Sequence, residues 1–461
     1  MKQTIRDLLF FACLLFVFSG CGSMKTSKNH YKRIDDYFCK RNFDSAATVL
    51  ITSKLENYGE KDRVLYWLDL GLLYHYQGDC VQSNLMLENA EKAIEDLYTS
   101  SISKGAASML LNDNALDYSG EDYEDIYLNV FKSLNYLKLN KFDESFVEVR
   151  RINNKLILLE DKYKKVADNY NSSEDAKAEF KTGESKFHNS ALGRYLSLLL
   201  YRAEGDMDGA RIDKEKYDEA FTNQAGIYDF PQPVIDSLLI IGGLAKVNFI
   251  SLTGKGPEKF ARELIVHTDK DIIIIYYSDG KEEKKLDAIA WPGVEKGIHF
   301  KLSLPYMEKT PTHACKIVIE VDGKDTLDLE KVESIENAAQ ETYKLKEPII
   351  YLKTITRTII KAILNESANK ELDKSTGGGL FGSLTRAVTG AVVDATENAD
   401  LRLSRYFPST ASVGEIELEP GDHSIRIKYI GFDGSALFID DLGTKNISRG
   451  GLNIFESFYL N

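Results

Sequence analysis

Histidines, cysteines and a dense run of carboxylates are the side chains of this 461-residue sequence that could ligate a metal or carry a proton. The seven histidines are His30, His75, His188, His267, His299, His313 and His423. None lies in HExxH, and no two share the one-turn spacing that lets a single helix hold zinc. Beyond the leader, Cys21, Cys39, Cys80 and Cys315 are scattered, with no CxxC and no adjacent His. That excludes a disulfide framework and a structural zinc site, and Cys39, Cys80 and Cys315 read as small apolar packing residues. No GxSxG or cysteine-nucleophile motif is present, and the "GKG" at 254–256 lacks the upstream Gly of a phosphate loop. Six carboxylates, Asp113, Asp117, Glu121, Asp122, Glu124 and Asp125, crowd into 13 positions. A calcium loop is one reading, but the alternating EF-hand spacing is missing. A helix start after Ser119, favoured by negative charge, fits better. No catalytic residue, metal or cofactor is therefore expected, and His75 reads as a surface or groove residue rather than a base.

The balance of 58 basic against 71 acidic side chains, a formal charge of −13, argues against a nucleic-acid partner. With 43% hydrophobic and 28% charged residues the chain should fold into several globular domains.

The first 20 residues read as a leader: Lys2 and Arg6, then the apolar run "LLFFACLLFVF", too short to span a bilayer as a stable helix. "FSGC" follows, with small Ser19 and Gly20 leading into Cys21, and resembles a bacterial lipoprotein lipobox, though Phe18 stands where Leu is usual. The resemblance implies cleavage before Cys21 and acylation of that residue, giving a membrane anchor. The other reading is an ordinary secretory signal with a coincidental Cys. In an organism using the inner-membrane retention rule, Gly22 rather than Asp after the Cys implies an outer-membrane destination. Residues 21–31 would be a lipidated polar tether.

Elements come next. "YWLDLGLLYHYQGDCVQSNLMLENAEKA" carries Trp67, Leu70, Gly71, Tyr74, Gly78, Ser83, Leu87 and Ala90 at places that resemble a tetratricopeptide repeat. Gly71 and Ser83 would let two antiparallel helices approach, and Gly78-Asp79 would turn between them. Weaker copies are centred on Tyr37, Phe43, Ala46 and Leu50, on Tyr136, Phe142, Ser145, Val149 and Ile152, and on Tyr201, Gly205, Asp206, Ala210 and Tyr217. The turn residues Arg41, Gly78, Asn140 and Gly205 lie 37, 62 and 65 residues apart, so the array is irregular. A helical domain over 32–246 that folds by itself is expected. Its concave surface would be lined by Leu68, Asp69, Leu72 and His75, a protein-partner site suited to an extended peptide, with Asp69 orienting a basic group or a backbone amide.

Near Leu252 the apolar period changes from 3.6 to 2. Residues 253–461 read as a β-rich, sandwich-like antiparallel domain with a helical insertion at about 334–405. In "GEIELEPGDHSIRIKYI", Ile416, Leu418, Ile425 and Ile427 face one way and Glu415, Glu417, Arg426 and Lys428 the other, which predicts a half-buried hairpin. Lys353, Arg357 and Lys361 read as a solvated face, or one for an anionic partner. The ridge Gly379, Ser383, Ala387, Ala391 and Ala395 suits close helix packing over membrane insertion or self-association.

The order of acylated Cys, tetratricopeptide-like helices, β-domain and "ADLRLSRYFPSTASVGEIELEPGDHSIRI" resembles a family of largely uncharacterised bacterial envelope lipoproteins. "LNDNALDYSGEDYE" and "FVEVRRINNKL" carry the same resemblance; where Trp is usual in the "ADLR…FP" segment, Tyr406-Phe407 stand here. The resemblance implies an α+β multidomain architecture, lipid anchoring at the outer membrane facing the periplasm, and a link to peptidoglycan synthesis or envelope assembly. The expected function is a non-enzymatic scaffold or adaptor; the alternative is an envelope-polymer hydrolase with a site in the β-domain.

Overall fold

The computed structural model describes residues 23–104, 113–172, 182–240, 242–278, 283–291, 293–294, 296–297, 299–376 and 399–461. The anchor residue Cys21 and the small-residue ridge at 379–395 lie outside them.

The N-terminal half is built of helical hairpins. They pair α1 (Ser23–Cys39) with α2 (Phe43–Thr52), α4 (Arg63–Gln77) with α5 (Cys80–Lys104), α6 (Asp122–Lys138) with α7 (Phe142–Asn171), and α8 (Ala191–Glu204) with α9 (Met207–Asn223). A short α3 spans Lys54–Asn57. Each hairpin turns on a left-handed residue: Arg41 (φ 56°), Gly78 (φ 92°), Asn140 (φ 57°) and Gly205 (φ 80°). Three second helices are then started by a side-chain oxygen accepting from the backbone three residues on, Asn42 from Ser45, Asp79 from Gln82 and Asp206 from Gly209. A Cβ at Gly71 would stand 2.7 Å from Leu87 Cδ2, and Ser83 Oγ donates to the Gly71 carbonyl at 2.8 Å. The α4–α5 crossing therefore needs both small residues. The stretch read as a tether is helical from Ser23 onward, as the start of α1.

The C-terminal half holds three four-stranded sheets. Its elements are β1 (Ala245–Lys255), β2 (Glu258–Asp269), β3 (Ile272–Ser278), β4 (Glu283–Ala290), β5 (His299–Glu308), β6 (Ala314–Val321), β7 (Lys324–Asp328), β8 (Glu330–Ser334), α10 (Ile335–Thr376), β9 (Pro408–Leu418), β10 (Gly421–Gly431), β11 (Ala436–Ile447) and β12 (Asn453–Tyr459). The first sheet has the order β12-β1-β9-β8, the second β11-β10-β6-β7 and the third β4-β3-β2-β5. Pairing is antiparallel except that β12 runs parallel to β1, with Val247 opposite Asn453.

Two expectations change here. Residues 414–431 do not form a hairpin: β9 pairs with β1 and β8, whereas β10 pairs with β11 and β6. The chain crosses from one sheet to another at Pro420-Gly421. The inward residues still meet, because Ile416, Leu418, Ile425 and Ile427 join Val247, Phe249 and Ile319 in one cluster between the two sheets. Leu252, expected at the change of period, lies inside β1. That strand is covered on both faces, so it shows no alternation to read.

The largest apolar cluster crosses the halves. Leu50, Leu72, Phe131 and Leu196 of the helices pack with Ile250, Leu252, Val413 and Phe458 of the first sheet. The third sheet instead packs Val266, Ile273 and Leu302 against Ile349, Leu352 and Ile355 of α10. Of the basic stripe on that helix, Arg357 is buried rather than solvated, 2% exposed; Lys361 is outside the described side chains. No helix among the described residues is long and apolar enough to cross a membrane.

Candidate functional site

The four residues expected to line an open groove are all inside the molecule. Leu68, Asp69, Leu72 and His75 are each 0% exposed. What covers the polar pair is the chain's own C-terminal part, in two places.

The first is the segment 399–407, which runs without helix or strand between the helices and β9. Asp69 Oδ1 accepts from the Arg405 amide at 2.9 Å and from Ser404 Oγ at 2.8 Å, while Oδ2 accepts from Tyr58 OH at 2.9 Å. Glu124 Oε1 accepts from the Ser404 amide at 2.6 Å; Oε2 accepts from Tyr118 OH and from the Glu121 amide at 2.7 and 2.8 Å. Two side-chain carboxylates thus accept from two consecutive amides of the irregular segment, taking the place of backbone carbonyls. Arginines flank this grip. Arg402 pairs with Asp62 at 2.8 Å and Asp400 at 2.7 Å and donates to the carbonyls of Asp113 and Leu116. Arg405 pairs with Asp35 and lies over the Tyr31 ring at 4.7 Å. Apolar anchors complete it: the Tyr406 ring stands 4.5 Å from Phe38, and Phe407 packs on Tyr123 and Phe131.

The second place is β12. His75 Nε2 meets Glu456 Oε1 at 2.8 Å, and Nδ1 meets Asn135 Oδ1 at 2.8 Å. Asn135 spends its amide donors on Ser83 Oγ and Asn84 Oδ1, so its oxygen is the acceptor for His75. Both ring nitrogens therefore face acceptors. Lys138 Nζ closes the set at 2.7 Å from Glu456 Oε2.

Electrostatics separates the two places. Burial pushes the Asp69 carboxyl up to about 6 against its donors, and burial together with nearby Glu121 pushes Glu124 up to about 7. Glu456 goes the other way. Burial would raise it, but His75 and Lys138 outweigh burial and hold it down at about 2.

The acidic run at 113–125 is absorbed in the same manner. The helix start expected after Ser119 is present: α6 begins at Asp122, with Glu121 at its cap and Asp122, Glu124 and Asp125 in its first turn. Glu121 takes Lys259 and Lys346 at 2.5 and 2.9 Å, and Asp122 takes Lys162 at 2.5 Å, so these charges bind the third sheet's β2, α10 and α7 to the helix start. Farther along α6, Lys132 is buried against Glu88 and Glu91 of α5 and Glu148 of α7 at 2.5–3.1 Å. Glu333 of β8 accepts from Ser190 Oγ, the Leu192 amide and Tyr127 OH at 2.8–3.0 Å, so the sheet caps the start of α8. Cys80 is buried as expected, whereas Cys315 is exposed.

Residue types gave part of this. An acid suited to a backbone amide was legible at Asp69. The segment that supplies the amide falls at the end of the helical insertion expected at about 334–405; instead residues 399–407 carry neither helix nor strand, because their backbone donors at Ser404 and Arg405 go to side chains of the helical half. Compared with known proteins, the chain matches no family model, no curated protein and no solved structure.

Proposed function

We propose that the protein is a non-enzymatic, lipid-anchored scaffold of the bacterial cell envelope. In this reading it belongs with the envelope lipoproteins its sequence resembles, its helices form a tetratricopeptide-like solenoid, and its sheets are sandwich-like. It is held at the outer membrane through Cys21, faces the periplasm, and binds protein partners linked to peptidoglycan synthesis or envelope assembly.

The observation that carries the reading is the grip on residues 399–407. The helices hold an extended segment by its amides, with arginine–carboxylate pairs and aromatic anchors around it. This is peptide recognition used within one chain. It fastens the helical half to the first sheet, so the partner meets one fixed composite surface rather than an empty groove.

A photo-crosslinking amino acid placed at Leu55, Val234 or Phe432, which are 95%, 78% and 79% exposed, tests this in intact cells. One discrete, stoichiometric protein adduct from at least one position is the expected result. Absence of adducts at all three, together with turnover of envelope polymer by the purified protein, would overturn it.

A further inference from the structure

We propose that His267 and His299 form a two-imidazole site for a borderline transition-metal ion, with Zn²⁺ the reference case. The two lie 32 residues apart in the chain and come together only through the third sheet, where β2 and β5 pair with His267 directly opposite His299. Directly opposed residues of an antiparallel pair project from the same face. That face is the outer one: the inner residues Leu264, Val266, Phe300 and Leu302 are buried against α10, whereas His299 is exposed and His267 half-buried.

The rings stand 4.5 Å apart between centroids at 78°, and each turns its Nδ1 toward the other. Two imidazoles that present the same nitrogen to one point make a chelating pair. Tetrahedral zinc with bonds of about 2.0–2.1 Å holds two nitrogens roughly 3.4 Å apart, a spacing that small χ rotations of these outer side chains reach. Tyr276, edge-on to His267 at 5.0 Å, restricts that ring on its far side.

The rest of the coordination sphere falls to water. Asp269, two residues along β2 on the same face, accepts from the Lys270 amide and faces Lys296 Nζ at 3.4 Å, so it is engaged already. Among the described residues no three-ligand group of His, Cys, Asp or Glu is in place to hold a metal. The donor set is then two neutral nitrogens with open positions, which suits Zn²⁺, Ni²⁺ and Cu²⁺ and disfavours Ca²⁺ or Mg²⁺. The same geometry is also what a plain Nδ1–H···Nδ1 hydrogen bond would give, and the test separates the two.

The mature full-length protein, stripped with chelator, is titrated with Zn²⁺ by calorimetry, and the Cu²⁺ form is examined by electron paramagnetic resonance for nitrogen hyperfine splitting. The expected result is one site with two-nitrogen splitting, weakened about tenfold or more in His267→Ala and in His299→Ala. His313→Ala should bind as the wild type, and circular dichroism should show all three variants folded. No binding by the wild type would mean a hydrogen bond only. Unchanged affinity in either pair variant, or equal loss in His313→Ala, would place the metal elsewhere. Each of these outcomes overturns the proposal.

Discussion

The Arg405 amide donates to Asp69 at 2.9 Å across 336 residues of chain. The carboxylate that the sequence offers to a partner is thus a structural acceptor, and it is fully buried with three donors on it. Asp69→Ala leaves the Arg405 amide, Ser404 Oγ and Tyr58 OH without that acceptor and should cost about 3 kcal/mol. Asp69→Asn, which keeps one oxygen, should cost less. Urea unfolding checks this; an unchanged midpoint for the Ala variant would mean that the segment is not held by Asp69.

The Glu456 set should be more sensitive. Removing one partner from a buried charge cluster strands the others, so Glu456→Ala, which leaves Lys138 and His75 facing no anion, should destabilise by about 3–5 kcal/mol. A double-mutant cycle with His75→Ala should give a coupling energy clearly above zero, because the first loss removes most of what the second can lose. Additive losses would contradict the shared network.

Stability should rise as pH falls from 8 to about 5, then fall again. Glu124 and Glu333 are pushed up to about 7 and Asp69 to about 6, chiefly by burial. Their folded forms bind protons more tightly than the unfolded chain does. That contribution is complete below the ordinary carboxyl range and is lost as pH rises through 6–7. Glu456 and Glu91 are held at about 2 because their cationic neighbours outweigh burial, so their contribution is present near neutrality and is lost as pH drops below about 4.5 toward 2. Urea midpoints across pH 4–8 measure this, and a maximum at or above pH 8 would be the wrong sign.

If Cys21 is acylated as proposed, Cys21→Ser should release the protein from the membrane fraction or leave its leader uncleaved. Normal cleavage with unchanged detergent partitioning would remove acylation from the account.

Expressed alone, residues 32–246 should keep helical circular dichroism but melt without a sharp transition and bind a hydrophobic dye. The autonomy expected from the change of period meets a core that Ile250, Leu252, Val413 and Phe458 complete from outside that range. A cooperative melt like that of the whole chain would show that the helices do not need the sheet.

Local signals carried the elements. Arg41, Gly78, Asn140 and Gly205 were legible as turns because a left-handed residue closing one helix, usually followed by an Asx cap, is set by neighbours in sequence. Gly71 with Ser83 announced a close crossing for the same reason. Alternation in 414–430 showed which side of each strand faces inward, and the structure keeps that side. It did not show that β9 and β10 lie in different sheets, because the period of a strand records a buried face and is silent on which strand lies beside it. The same limit hid the occupant of the groove. Asp69 and His75 look identical in sequence whether they await a partner or hold Arg405 and Glu456, since apolar neighbours at helical spacing say that a face is covered, not by what. Residue type and local spacing determined the helices, their turns and the acids that could grip a backbone. Only the tertiary structure decided which segment they grip, because contacts hundreds of residues apart leave no local period.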